Sequence, residues 1–173
     1  IPFQFSLHVV NSPGAKPDHF SYLADGPVDP RQDFIAELKK VLGDKGSVLA
    51  YNADFEKKCI ESCVNLFPEY ADWARGIYAR VLDLIVPFRS FQYYHPGQKG
   101  SASLKKVLPA LVGKSYAGLE ISEGGTASRE FYRVTYTEDN KDKAKIRHDL
   151  EVYCTLDTQA MVDIVNELYK LIG

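Results

Sequence analysis

The stretch SVLAYNADFEKKCI (residues 47–60) has the pattern of a buried strand that leads into a helix. Its apolar start is typical of a strand, and a helical pattern begins at Asp54. Asn52, Asp54 and Glu56 follow the carboxyl end of the strand, where open α/β sheets bind their ligands. Carboxylates at such a position can hold a hard cation such as Mg²⁺. Alternatively, Asn52 caps the helix, and the two acidic residues favour its positive N-terminus.

Two further strands are predicted before this stretch. In IPFQFSLHVV (residues 1–10) apolar and polar side chains alternate, which is typical of a strand. A turn follows, and residues 19–25 are expected to pair back as the second strand of a hairpin. Residues 29–43 predict a helix, with Asp29 as its N-cap and Pro30 at its first position.

The chain beyond this region is expected to be mainly helical. Helical patterns cover residues 54–66, 69–81 and 141–172. The apolar run at residues 81–91 is ambiguous between strand and helix. Ser101 or Ser103 is expected to cap a short helix. Strands come early and helices late, in the order β-β-α-β-α-α, which predicts an α/β fold.

Length and composition indicate one domain of ordinary globular character. The chain has 173 residues, of which 45% are hydrophobic and 25% charged, and its net charge of −2 gives no overall basic field. The sequence contains no stretch of about 18 apolar residues, so no membrane span is predicted. Three cysteines without a C-x-x-C spacing fit the reduced thiols of a cytoplasmic protein. Because the chain starts inside a strand pattern without an initiator Met, residues 1–173 are expected to be a single-domain fragment of a longer protein.

A carboxylate also occurs on an apolar helix face, in HDLEVYCTLDTQAM (residues 148–161). Tyr153 and Asp157 are four residues apart and therefore share a face. A carboxylate there is costly unless it has a partner, and a metal ion would be such a partner. Alternatively, the helix breaks near Cys154, and Asp157 caps a second helix that starts at Thr158.

The loop YYHPGQKGSASLKK (residues 93–106) combines aromatic rings, glycines, hydroxyls and lysines. Such a mixture suits single-stranded nucleic acid, whose bases stack on rings while cations follow its backbone. Alternatively, the segment is only a solvated connection.

Taken in order, these features resemble the DEDD 3′–5′ exonuclease superfamily, of the DEDDy-like kind and with a ribonuclease H-like fold. N-x-x-F-(D/E) occurs at residues 52–56, SLKKVLPALVG at 103–113 and Y-x-x-x-D at 153–157, with an apolar LDL segment at 82–84. The resemblance is closest to an uncharacterised bacterial domain family within that superfamily, through the blocks PFQFSLH, YHPG, GSxSLKxVLPAL and YCxxDTxAM. It covers the whole chain.

The resemblance implies hydrolysis of phosphodiester bonds by a two-metal site that holds Mg²⁺ or Mn²⁺. Glu56 and Asp157 match metal ligands, and Tyr153 matches the catalytic group that orients or activates the attacking water. Asp54 and Asp83 are expected to support these ligands without binding the ions themselves.

The resemblance also implies a substrate of single-stranded DNA or RNA. Asn52 matches the amide of the second motif and is expected to contact the substrate. From the loop, Tyr94, His95 and Lys105 are expected to bind the strand.

The chain departs from the superfamily pattern in two ways. The second motif usually ends in Asp, whereas here it ends in Glu56. The first motif, D-x-E on a central first strand, is absent, because the triplets at residues 54–56 and 149–151 do not lie on such a strand. An upstream N-terminal segment or a partner chain is therefore expected to complete the sheet.

These departures leave the function open between two main interpretations. In the first, the longer protein is an exonuclease, and the fragment is inactive without the first motif. In the second, the domain is a non-catalytic ribonuclease H-like scaffold that binds nucleic acid or a protein partner. A third interpretation is an α/β interaction module in which the short motifs match by chance.

Overall fold

The computed structural model describes residues 1–138 and 141–172, in which the chain forms four strands and seven α-helices. The strands are β1 (Gln4–Val9), β2 (Asp18–Leu23), β3 (Val48–Ala50) and β4 (Val81–Asp83). The helices are α1 (Arg31–Val41), α2 (Asp54–Val64), α3 (Ala71–Tyr78), α4 (Val86–Arg89), α5 (Leu104–Leu111), α6 (Gly124–Tyr136) and α7 (Lys143–Ile172). Short 3-10 turns at Pro68–Tyr70 and Pro96–Gln98 precede α3 and α5.

The strands form two separate two-stranded sheets. β1 pairs antiparallel with β2, with His8 opposite His19, which confirms the predicted hairpin. β3 pairs parallel with β4, with Ala50 opposite Asp83. The α/β class is therefore confirmed. Within the described residues, neither β1 nor β3 has a second strand along its other edge.

One apolar core joins both sheets to the first three helices. Its buried members are Phe5, Phe34, Ile35, Leu38, Ile60, Cys63, Ala74 and Ile77. Val48 of β3 and Val81 of β4 pack against the same cluster. Because Phe5 comes from β1, the two sheets share one layer of helices even though they are not hydrogen-bonded to each other.

Helix α7 is continuous and packs against β1, α5 and α6. Leu150 and Ile164 are fully buried on it, and Gln4 Nε2 of β1 donates a hydrogen bond of 2.8 Å to the Leu150 carbonyl. Since the helix has no break near residue 154, the interpretation of Asp157 as an N-cap is wrong. No helix among the described residues is both long and apolar enough to cross a membrane.

A chain of hydroxyl and imidazole groups anchors α7 to the hairpin beside Asp157. Thr158 Oγ1 lies 2.6 Å from Ser6 Oγ and 2.8 Å from His8 Nδ1, and both pairs are hydrogen-bonded. Ser6 Oγ is also hydrogen-bonded to His19 Nε2 at 2.9 Å, and the rings of His8 and His19 stack with centroids 4.5 Å apart. These contacts fix the position of the helix along the strand.

Thr158→Val is expected to lower the free energy of unfolding by about 1–2 kcal/mol, because Ser6 and His8 lose a partly buried partner. Urea unfolding measures this effect. Thr155→Val is the matched control, since the Thr155 side chain makes no hydrogen bond within the described part of the chain. Equal costs for the two variants would contradict the anchoring role.

Two segment boundaries differ from the sequence-based prediction. The ambiguous run at residues 81–91 contains both structures, β4 followed by α4. The helix predicted over 69–81 is shorter, because α3 ends at Tyr78 and Val81 pairs with Val48 in the sheet. The pairing of β3 with β4 determines both boundaries, and a local sequence pattern does not reveal such pairing.

The helix ends also differ slightly from expectation. α1 begins at Arg31, with Pro30 at the N-cap position, and Asp29 Oδ1 accepts the Arg31 backbone N–H at 3.1 Å. Ser103 is the N-cap residue of α5, and its own N–H donates to Ser101 Oγ at 3.2 Å. Ser103 therefore occupies the predicted N-cap position, but its side chain makes no capping hydrogen bond.

Candidate functional site

The Asp83 carboxylate connects the carboxyl ends of β3 and β4 through hydrogen bonds. Asp83 Oδ1 accepts the backbone N–H groups of Asn52 at 2.9 Å and Ile85 at 3.1 Å, while Oδ2 accepts that of Ala53 at 3.0 Å. Asn52 has a φ of +68°, a left-handed conformation that asparagine tolerates better than most residues. Because Ala53 is the N-cap residue of α2, the interpretation of Asn52 as a helix cap is wrong.

Glu56 lies in the first turn of α2, close enough to Asp83 for the two charges to interact. Glu56 as a whole is exposed, but neighbouring atoms partly shield its carboxyl group from solvent. Partial desolvation raises the pKa of Glu56 to about 7, and the negative charges of Asp83 and Asp157 add to the rise. Asp54, on the same turn, is exposed. A cation near Glu56 would favour its ionised form.

Glu56→Gln is expected to remove a pH dependence of stability. Because the pKa rises from 4.5 to about 7 on folding, the folded protein holds the proton more tightly. The resulting stabilisation is full below the unfolded pKa and is lost as the pH rises through the folded pKa. Between about pH 5 and about pH 8 the wild type should lose about 1 kcal/mol relative to the variant, a value kept small because water screens the exposed side chain. Urea unfolding in EDTA at both pH values measures this, and identical pH profiles would contradict it.

Asp157, half-buried on α7, is held by two phenols. The Tyr116 hydroxyl donates to Asp157 Oδ1 at 2.5 Å, and the Tyr153 hydroxyl lies near enough to the same carboxylate to favour its ionised form. Burial raises the pKa of Asp157, whereas the hydroxyls of Tyr116 and Tyr153 and the positive charge of Lys105 oppose the rise. Burial also raises the pKa of both tyrosines above the usual range, so they are protonated donors at neutral pH. These donors offset the cost of a carboxylate on an apolar face.

The sequence analysis did not identify Tyr116. This residue lies between α5 and α6, is 8% exposed, and reaches Asp157 only through packing. The one available signal was chemical: a buried tyrosine generally has a hydrogen-bond partner for its hydroxyl.

Packing brings the ends of β3 and β4 next to α7. Tyr51 follows β3, Leu84 follows β4, and both belong to the apolar cluster that contains Tyr153. Glu56 and Asp157 are close enough for the charge of one to act on the other. Residues 1–138 and 141–172 nevertheless contain no group of three or more His, Cys, Asp or Glu placed to hold a metal ion.

His95 stabilises a local turn through two hydrogen bonds. Its Nδ1 accepts the Gly97 N–H at 3.1 Å, and its backbone N–H donates to Gln98 Oε1 at 2.8 Å. Gln98 is almost fully buried, at 1% exposure. The ring of His95 is therefore engaged in the loop, and its predicted contact with substrate stays a prediction.

Tyr94 and Lys105 lie on the surface. Tyr94 is exposed, and its ring centroid is 5.8 Å from that of Phe91. Lys105 Nζ is 3.3 Å from Glu123 Oε1, and its charge acts on Asp157. Lys105, which lies on α5, is thus the predicted strand-binding residue whose charge acts on Asp157.

A family model matches more than half of the chain. It is the model described as Domain of unknown function (DUF2779), and it matches residues 1–103. The match includes Asn52, Glu56 and Asp83 and ends before α5 and α7. No curated protein and no solved structure matches the chain significantly. By the extent of the family match, the chain belongs to the DUF2779 family, whose function is unknown.

Proposed function

We propose that the protein is a metal-dependent 3′–5′ exonuclease with a ribonuclease H-like fold, acting on single-stranded DNA or RNA. The observation that supports this most is the packing of Tyr153 of α7 with Tyr51 and Leu84 at the ends of β3 and β4, which brings Asp157 near enough for its charge to act on Glu56. Ligands of open α/β sheets bind at such strand ends. The spacing of Asn52 to Glu56 and of Tyr153 to Asp157 also matches the second and third motifs of the exonuclease superfamily.

The two carboxylates have the chemistry of Mg²⁺ or Mn²⁺ ligands, which are mostly oxygen atoms. When bound, a pair of such ions stabilises the attacking and leaving oxygens of phosphodiester hydrolysis. Asp83 gives its oxygens to backbone N–H groups and so supports the turn instead of binding an ion. The fit is partial, because Glu56 and Asp157 supply two ligands and the site needs further oxygen atoms.

Tyr153 is the residue that we propose orients the attacking water. Its protonated hydroxyl lies near the Asp157 carboxylate, which would be one of the metal ligands. Because Tyr116 donates to Asp157 Oδ1 independently, the carboxylate keeps its orientation when Tyr153 turns its hydroxyl toward a water molecule.

An added strand is part of the proposal. β1 and β3 each have an edge that is unpaired among the described residues, and unpaired edges are templates for a further strand. An N-terminal segment of the longer protein or a partner chain would supply this strand. The same strand would bring the remaining carboxylates to the carboxyl ends of β3 and β4.

Incubation of the full-length protein with 5′-labelled single strands tests the proposal. In Mg²⁺ or Mn²⁺ we expect products shortened from the 3′ end, and no products in EDTA. Mn²⁺ should also raise the thermal midpoint of the wild type but not that of Glu56→Gln, because a ligand of the folded state stabilises it. Glu61→Gln, an exposed change on the same helix, is the control. The absence of both cleavage and Mn²⁺ stabilisation in the full-length protein would contradict the proposal.

A non-catalytic scaffold that binds nucleic acid or a protein partner is the second candidate. It is favoured by the lack of a third metal ligand among the described residues and by Glu56 at a position where the superfamily usually has Asp. Binding of single strands by the full-length protein without cleavage, and without any effect of Mn²⁺, would support the scaffold.

A further inference from the structure

An open cleft of about 410 Å³ lies beside α4. Its lining residues are Ile85, Phe88, Arg89, Phe91, Gly100, Ala102 and Ser103. Most of these are apolar or small, one is cationic, and none of the described lining residues is acidic. The cleft therefore suits a flat, uncharged group that is attached to an anion.

Phe91 forms one wall of the cleft in an unusual backbone conformation. Its φ is +56°, a region that bulky residues rarely adopt, and it is 66% exposed. The ring of Tyr94, 44% exposed, lies nearby with a centroid distance of 5.8 Å. Because both rings are exposed, hydrophobic burial does not explain why the chain holds them on a strained backbone segment. Strain of this kind is concentrated at functional sites, such as ligand clamps.

One cation lines the cleft, and two more lie close in the chain to its lining residues. Arg89 lines it, Lys99 precedes the lining residue Gly100, and Lys106 lies in the first turn of the helix that follows Ser103. All three cations are exposed, and none forms an ion pair within residues 1–138 and 141–172. Their charges are therefore available to a polyanion.

The cleft adjoins the carboxylate site. The Tyr51 hydroxyl donates to the carbonyl of Ala102, a lining residue, at 2.7 Å, and the charge of Asp83 acts on Tyr51. On the other side, Ser103 leads into α5, whose Lys105 acts on Asp157. Tyr51 and α5 thus connect the cleft to the carboxylates of Asp83 and Asp157.

We propose that this cleft binds a base of single-stranded nucleic acid, stacked on Phe91 and Tyr94, with Arg89 contacting an adjacent phosphate. Stacking on aromatic rings combined with cations along the backbone is how proteins bind single strands without sequence preference. The inference rests on the proposed function for the class of ligand, but it does not require cleavage.

Fluorescence anisotropy with labelled oligothymidylate and oligouridylate tests the inference on the full-length protein in EDTA, where cleavage is suppressed. Phe91→Ala is expected to weaken binding at least about tenfold. Phe91→Gly is the second variant: glycine adopts the positive φ without strain, so the chain folds at least as stably while the ring is lost. Weakened binding with retained stability separates a binding role from a folding role.

Tyr132→Ala is the matched control, because Tyr132 is 61% exposed and stacks on Tyr136 at 5.5 Å, also as an exposed aromatic pair. Its binding should equal that of the wild type. The inference is overturned if the wild type binds neither oligonucleotide, or if the Phe91 variants bind as well as Tyr132→Ala. Self-association or peptide binding that depends on Phe91, without an effect on oligonucleotides, would also overturn it.

The outcomes distinguish this inference from the proposed function. Oligonucleotide binding that depends on Phe91, without cleavage in Mn²⁺, supports the cleft and contradicts the exonuclease. Cleavage in Mn²⁺ together with binding that is unaffected in the Phe91 variants supports the exonuclease and contradicts the cleft.

Discussion

Asp157→Asn is expected to lower the rate of nucleic-acid cleavage by the full-length protein at least about 100-fold. Residues that only support metal ligands cost about 10–100-fold when changed, and loss of a ligand should cost more. Asparagine keeps the shape of the side chain and an oxygen that accepts from Tyr116, but it has no charge for a cation. Because burial raises the pKa of Asp157, the ionised form is costly, and the variant should be at least as stable as the wild type.

The combination of lost activity and retained stability is what marks a functional carboxylate. Asp163→Asn is the matched control on the same helix: Asp163 pairs with Lys114 at 2.7 Å and accepts from Gln159 at 3.0 Å. Loss of its pairing should cost at most about 1 kcal/mol and leave the rate unchanged. Measured rates that are equal for the two variants would contradict a catalytic role for Asp157 and favour the scaffold.

Local patterns were sufficient for the parts of the fold that depend on short-range order. The alternation of residues 1–10 predicted β1, and the turn residues after it predicted the hairpin with β2. The strand-to-helix transition before Asp54 was likewise visible, because period and composition both change there. Residues 81–91 remained ambiguous because a short apolar run has no distinctive period. Pairing with β3 made its first part a strand.

The candidate site depended more on contacts between distant residues. The sequence suggested a metal ion as the partner of Asp157, whereas the described residues provide the hydroxyls of Tyr116 and Tyr153. No spacing rule connects Tyr116 to Asp157, because the loop between α5 and α6 brings it there. The cleft wall at Phe91 was also missed, since a positive φ at a bulky residue has no sequence signal.

Asp83→Ala is expected to lower the free energy of unfolding by about 3 kcal/mol. The substitution removes a charged acceptor from three backbone N–H groups, of Asn52, Ala53 and Ile85. Hydrogen bonds to charged groups contribute about 1.5–3 kcal/mol each, and water replaces part of this at the exposed Asn52. Urea unfolding at neutral pH measures the change.

Asp54→Asn is the control for this prediction, because Asp54 is exposed in the first turn of α2 and contributes mainly its charge at the helix N-terminus. Its loss should cost about 0.5 kcal/mol. A cost for Asp83→Ala as small as this would mean that the carboxylate does not hold the ends of β3 and β4 together.

Asp83→Asn separates the two effects of the carboxylate. Asparagine keeps one acceptor oxygen, so the loss of stability should be smaller than for alanine, whereas the loss of negative charge is the same. Because the charge of Asp83 raises the pKa of Glu56, both variants should lower that pKa by similar amounts in an NMR titration of the Glu56 carboxyl. An unchanged pKa of Glu56 in both variants would mean that Asp83 acts on the turn alone, and that the carboxylates are not electrostatically coupled.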